Sequence, residues 1–266
     1  MTLSAKDLSE QKRYLVRLAT TEADLVAAQR LRYRVFVQEL GADGPLVDHA
    51  AQTEQDTLDA VFDHLVLIDR RVDPASLNHV VGVYRVLPGD RLGQAGHFYS
   101  ASEYDLTPLL ASGRRLLELG RSCVHADHRG GTGLLLLWNG LADYVLDLEI
   151  DILFGVASFP GTDPAALAQP LSHLHHAHLA PPDLRVCSHG AGAVAMNILP
   201  PEAIDRRAAL AGTPALIKAY LRLGGFVGQG AYVDHAFNTT DVCLVMDTAN
   251  MSARHRNFYT RKRGAP

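Results

Sequence analysis

Long apolar runs are missing from this chain of 266 residues. The longest one near a helix pattern, residues 134–138, falls far short of the roughly 20 residues that a membrane-spanning helix needs, so no such helix is expected. The first residues, Met1-Thr2-Leu3-Ser4-Ala5-Lys6-Asp7, are polar and lack the apolar centre of a secretory signal. A cytoplasmic location is expected. Cysteine is scarce too: Cys123, Cys187 and Cys243 are odd in number and far apart, which argues against a disulfide framework and against a zinc-binding pair. Cys123 and Cys243 lie in apolar strand patterns, where a free thiol serves as a small core residue. His173, His175, His176 and His178 come without a Glu-x-x-His or His-Glu-x-x-His pattern, so a polar helix is expected there and no metal site.

What is present is apolar enough, at 47%, for a real core in one large domain or one domain with a sizeable insertion. We read residues 1–266 as a single domain with an insertion at about 159–212 and a basic tail at 251–266. The net charge of -4 hides that tail, in which Arg254, Arg256, Arg261, Lys262 and Arg263 follow the last acidic residue, Asp247. Such an end is either a solvated tail or a surface for an acidic protein or an anionic membrane. No nucleic-acid partner is expected.

Periodicity places a strand at 14–19, a helix at 22–40, a meander of strands at 64–69 and 79–87, and a strand, helix and parallel strand at 116–124, 134–148 and 152–158. Proline at 170, 181, 182, 200 and 201 breaks up the next stretch. A helix at 213–223 stops at Gly224-Gly225, and strands at 226–234 and 241–247 follow. The order predicts a mixed sheet with helices on its faces, an α/β (α+β) architecture.

The richest segment runs from Leu116 to Gly133, where a strand carrying Glu118 and Arg121 meets a turn with glycines at 130, 131 and 133 that opens a helix. Glycine lets backbone approach a ligand, and the first amides of a helix lack internal partners, so an anion fits there. Strict alternation puts Glu118 and Arg121 on opposite faces. A bulge near Gly120 would bring them round to one face and turn a backbone amide out of the sheet.

This order resembles the GCN5-related N-acyltransferase (GNAT) fold, in which a thioester's pantetheine arm lies between two splayed strands and its phosphates sit on the following helix. The phosphate turn of that family begins with Gln or Arg, whereas here His128 opens His128-Arg129-Gly130-Gly131-Thr132-Gly133. The difference points from coenzyme A toward acyl carrier protein, whose single phosphodiester needs less of a cradle. The chain also resembles bacterial L-ornithine N-alpha-acyltransferases almost end to end, through the blocks at 31–36, 63–66, 82–87, 118–124, 214–224 and 234–242. Arg32-x-x-x-Phe36 and Glu118-x-x-Arg121 are similar to patterns in acyl-homoserine-lactone synthases, without the tryptophan those carry after the Phe.

The resemblance implies transfer of a 3-hydroxyacyl chain from acyl carrier protein to the α-amine of L-ornithine, with no metal or redox cofactor. Other amino-acid acceptors and a non-catalytic carrier-binding module remain as alternatives. Such chemistry needs a proton acceptor, for which Glu118 is the candidate, an oxyanion donor near Gly120 and Arg121, and an acid for the leaving thiolate, for which Tyr220 is the candidate. Arg85 and Arg121 are candidates for the ornithine carboxylate, since an arginine fork binds both oxygens. Asp56, Asp59, Asp63 and Asp234 are candidates for its side-chain ammonium, and Phe36 and Asn238 join the substrate residues through the resemblance. His128, Arg129 and the amides of Gly131 and Gly133 are expected to hold the pantetheine phosphate. Arg32 and the basic tail are expected to meet the acidic carrier protein, and the tail leaves peripheral contact with the inner membrane face as an option.

Overall fold

The computed structural model describes residues 12–129 and 132–250, so Gly130, Gly131 and the basic tail lie outside the described residues. In chain order its strands and α-helices are β1 (Tyr14–Leu18), α1 (Glu22–Arg32), β2 (Val47–Asp48), β3 (Thr53–Glu54), β4 (Asp63–Asp69), β5 (Val80–Pro88), α2 (Leu92–Ala95), β6 (Tyr104–Asp105), α3 (Thr107–Ala111), β7 (Leu116–Val124), α4 (Thr132–Asp147), β8 (Ile152–Pro160), α5 (Ala168–His178), β9 (Cys187–Ser188), β10 (Ala193–Val194), α6 (Arg206–Gly212), α7 (Ala215–Arg222), β11 (Phe226–Val227), β12 (Ala231–Asp234) and β13 (Thr239–Asp247). Two compact units divide this chain. One takes the residues up to Leu87 together with Leu119–Leu148, the other Pro88–Glu118 together with the residues from Glu149 on, so β7 belongs partly to each.

In the first unit β1 pairs antiparallel with β4, and β4 with β5. All nine residues of β5 are buried, the pattern of a strand covered on both faces. The cover follows the alternation of β4. Val66 and Ile68 join Ala27, Ala28, Leu31, Val35 and Cys123 in one core cluster, which α1 closes. Leu65 and Leu67 meet α4 instead, at Gly140 and Gly133. A methyl group on Gly140 would stand 2.4 Å from Val16 Cγ1, so this glycine sets how closely α4 lies on β1. α1 begins with a capping box, in which the Thr21 hydroxyl accepts from the Asp24 amide while the Asp24 carboxylate accepts from the Thr21 amide. The helix predicted for 22–40 changes character at Arg32 and continues as a wider π-helix over Tyr33–Glu39.

In the second unit the first residues of β7 pair in parallel with β8, Leu116 with Ile152 and Glu118 with Phe154. β8 runs antiparallel to all nine residues of β13. β12 folds back on β13, and β10 on β12. The strand predicted for 226–234 is two strands. β11 and β12 both pair with β13, and the register moves from Val227↔Leu244 to Tyr232↔Asp241, which leaves two extra residues looped out between them. Gly230 is in that loop at φ +80, where a methyl group would strike Ser188 Oγ at 2.1 Å. Residues 159–212 are more than an appended segment, because β10 joins the sheet of this unit. The expected polar helix there is α5, with Pro170 in its first turn, where a missing amide proton costs nothing.

Candidate active site

Six charged side chains of the first unit close into a ring of ion pairs. Arg32, at the end of α1, puts Nε 2.6 Å from Glu54 Oε2 at the end of β3. Glu54 Oε1 accepts from Arg121 Nε of β7 at 3.1 Å, and Arg121 Nη2 lies 3.4 Å from Asp56 Oδ2. Asp56 Oδ1 and Asp59 Oδ1 both accept from Arg85 Nη1 of β5, at 2.5 and 2.8 Å. Asp59 Oδ2 returns to Arg32 Nη2 at 2.6 Å. Local structure fixes the two aspartates: Asp56 caps the short turn Thr57–Ala60 by accepting from the Leu58 amide, and Asp59 lies within it. Gln29 also donates to Asp59.

The three positive and three negative charges cancel. Burial raises the Asp56 carboxyl, but Arg85 and then Arg121 overcome it and hold the group below the ordinary range. Asp59 is held well below that range, since Arg32 and Arg85 outweigh its burial. Burial likewise works against the Arg32 guanidinium, and Glu54 with Asp59 more than restores it. His64, whose Nε2 is 3.1 Å from the Asp59 carbonyl, is pushed down by burial, so its neutral form is favoured.

This ring corrects several expectations. Arg32 is 0% exposed and cannot meet a carrier protein. Arg85 is also 0% exposed, lies over the Phe62 ring, and has its charge met by Asp56 and Asp59. Asp56 and Asp59, for the same reason, offer no uncompensated charge to an ammonium. Asp63 opens β4 and accepts from the Tyr144 hydroxyl at 2.7 Å. Phe36, on the π-helix, packs partly buried against the core cluster. Glu54 completes the ring and is absent from the residues that the motifs single out. Its only signal in the sequence is its place in Glu54-x-Asp56-x-x-Asp59.

Arg121 has φ +48, uncommon for a residue with a side chain, and it breaks the alternation of β7 one position after Gly120. That turn in the backbone points the guanidinium to Glu54 and Asp56. Of the expected phosphate group, His128 Nδ1 is 2.8 Å from the Tyr14 hydroxyl and 3.5 Å from Arg13 Nη2. Burial and Arg13 both lower its pKa. Arg129 donates to Glu39 and to the Val124 carbonyl. Gly133 is buried in the packing of α4, where a methyl group would meet Leu67 at 3.1 Å. Gly131 lies outside the described residues.

In the second unit Glu118 is 1% exposed, and its two carboxylate oxygens accept from the amides of Tyr99 at 2.8 Å and Ser100 at 2.6 Å. It therefore caps the turn Tyr99–Ser102. One residue beyond that turn is Glu103, whose carboxylate comes within 4.8 Å of those of Asp234 and Asp241. Sequence reasoning misses Glu103 and Asp241, because nothing in their neighbourhoods along the chain links them. Tyr220 is buried on α7. Asp234 and Asn238 serve the β12–β13 hairpin. Asp234 Oδ1 accepts from the amides of Ala236 and Phe237, and Asn238 takes φ +53 to close the turn. The block from Asp234 to Val242 thus owes part of its pattern to turn chemistry.

A family model described as an acetyltransferase (GNAT) domain matches residues 31–139, which include the whole ring and Glu118. The chain is 61% identical to the L-ornithine N(alpha)-acyltransferase of Rhodobacter capsulatus, over 94% of this chain and 95% of the relative. It is 42% identical to that of Brucella abortus, over 92% of this chain and 88% of the relative. Among solved structures, the CoA-dependent acyl-homoserine lactone synthase BjaI, with SAM and isopentyl-CoA, has the same fold at a TM-score of 0.51 and 15% identity, covering 95% of this chain and 90% of that one. Identity of the first kind, sustained along nearly the whole of both chains, shows that this acyltransferase belongs to the L-ornithine N(alpha)-acyltransferase family.

Proposed function

We propose that the enzyme moves a 3-hydroxyacyl chain from acyl carrier protein to the α-amine of L-ornithine, giving lyso-ornithine lipid. The observation that carries the acceptor is the 61% identity to a relative named for it. The donor rests on the phosphate turn. A neutral His128 tied to Tyr14 makes a poor pyrophosphate ligand, which suits a carrier with a single phosphodiester.

In the proposed reaction the amine nitrogen attacks the thioester carbonyl carbon, and the carbonyl electrons move to oxygen. Collapse of the tetrahedral species re-forms the carbonyl, breaks the C–S bond and leaves an amide and a thiolate. Glu118 takes the amine proton, directly or through a water, and Tyr220 supplies one to the thiolate. A backbone amide beside Arg121 donates to the oxyanion. No metal or redox cofactor enters this scheme. Arg254, Arg256, Arg261, Lys262 and Arg263 are proposed to meet the acidic carrier or the anionic inner membrane face, an attraction that added salt would weaken.

The test is to incubate the purified protein with 3-hydroxyacyl carrier protein or 3-hydroxyacyl-CoA and a panel of amino acids, and to identify the amide by mass spectrometry. Amide on the ornithine α-nitrogen with the carrier as the better donor is expected. A faster reaction from the CoA thioester overturns the donor, and absence of amide with every amino acid overturns the reaction.

A further inference from the structure

We propose that the Ser100 hydroxyl binds the 3-hydroxyl of the incoming acyl chain and so selects 3-hydroxyacyl donors over plain acyl donors. This rests on the reaction proposed above, in which Glu118 takes the amine proton. Ser100 is 0% exposed, and among the described residues its Oγ has no hydrogen-bond partner. A buried hydroxyl that makes no hydrogen bond is costly, and a ligand hydroxyl, which both donates and accepts, removes that cost. Ser102, in the same turn, shows the ordinary alternative, because its Oγ donates to the Tyr99 carbonyl at 2.8 Å. Thr239 also has a buried Oγ1 without a partner, but it belongs to the β12–β13 hairpin, whereas Ser100 is hydrogen-bonded to the candidate base.

That position identifies the ligand. The Ser100 amide donates to Glu118 Oε1 at 2.6 Å, so the hydroxyl of the same residue stands one side chain away from the carboxylate. The amine that gives its proton to Glu118 bonds to the thioester carbonyl carbon, and carbon 3 of the acyl chain follows that carbon by two bonds. A hydroxyl on carbon 3 therefore comes within a side chain's reach of Glu118 when the acyl chain is seated for attack.

The surroundings suit an acyl chain. Phe98, the residue before the turn, meets Phe154 edge to face with 4.9 Å between ring centroids. Phe154 stands opposite Glu118 across the β7–β8 ladder, which ends there, and both rings are buried. Aromatic walls favour methylene groups and offer no partner to a hydroxyl set among them. Tyr99 and Ala101 are partly buried and Ser102 is exposed, so Ser100 lies just beneath the surface of its unit. A site that pairs a substrate hydroxyl rejects the analogue lacking it, because the site's own polar group is then left unpaired.

The experiment measures kcat/KM for a 3-hydroxyacyl carrier protein and the acyl carrier protein of the same chain length, each with ornithine, in the full-length protein and its Ser100→Ala and Ser102→Ala variants. The wild type is expected to prefer the 3-hydroxyacyl donor, and Ser100→Ala to lower that preference about tenfold or more by slowing this donor alone. Ser102→Ala, which alters the same turn, is expected to keep the preference. A preference unchanged in Ser100→Ala, or an equal loss with both donors, overturns Ser100 as the selector and leaves the reaction standing. Absence of amide, or equal use of the two donors by the wild type, overturns the donor proposed above and the selector with it. Urea unfolding is the second measurement. Loss of an unpaired hydroxyl breaks no hydrogen bond, so the Ser100→Ala midpoint is expected at or above the wild-type value. A clearly lower midpoint means that the hydroxyl serves the fold, and this also overturns the proposal.

Discussion

The first unit buries Arg32, Arg85 and Arg121 against Glu54, Asp56 and Asp59, while the second brings the carboxylates of Glu103, Asp234 and Asp241 within 4.8 Å of one another. The ring takes charge out of water, and that is costly unless the charge is met. In the ring every carboxylate is met by guanidinium groups from another segment of the chain, so the ring joins α1, β3, the 57–60 turn, β5 and β7. Its members hold one another. The three acidic residues of the second unit come from a turn and a hairpin, and Asp234 there accepts from the backbone amides of Ala236 and Phe237. Charge at a candidate site therefore has to be judged by what surrounds it. By that measure the aspartates that look most suited to an ammonium in the sequence are the least available in the fold.

The sharpest way to break this comparison is to open the ring. Replacing Arg85 by Met leaves Asp56 and Asp59 buried with one cation fewer, and a loss of about 3–5 kcal/mol in urea unfolding is expected. A loss below about 1 kcal/mol would mean the ring is decoration.

Acid gives the next largest effect. Because Asp56 and Asp59 titrate below the ordinary carboxylate range when folded, their contribution is complete above about pH 4 and disappears as the pH falls through their lowered values. His64 adds in the same direction. Its pKa is lowered in the fold, so stability rises with pH between that lowered value and about 6.5. Urea midpoints from pH 3 to 7 should fall toward acid, and Asp59→Asn should start lower and flatten the slope. A slope unchanged by that substitution would remove Asp59 from the account.

The smallest effect carries the contrast itself. Replacing Asp234 by Ala removes a side-chain oxygen that accepts from two amides of the hairpin turn, and a loss of about 1–2 kcal/mol in urea unfolding is expected. A loss of several kcal/mol would make the second cluster as structural as the first.

Much of the frame was legible from periodicity. β1, β4, β5, β7, α4 and β8 lie where apolar spacing puts them, since each buries a face whose period follows from its own backbone. The break between β11 and β12 was less so, because Ser188 and Val186, far along the chain, decide what fits beside Gly230 and Gly228. Among candidate residues, Glu118 and Arg121 stood out through one strand and its turn. Glu54, Ser100, Glu103 and Asp241 did not, as each matters through partners many residues away.

The chain alone determined the elements, the α/β class and, through resemblance, the family. Those depend on local spacing and on motifs that travel whole. Tertiary structure alone decided which charges cancel. Arg32, Arg85, Asp56 and Asp59 looked like ligands until folding closed them into a ring, and Glu103 and Asp241 looked ordinary until the β12–β13 hairpin and the Glu118-capped turn brought them together. Whether a charge is available depends on its distance to other charges, and folding sets that distance.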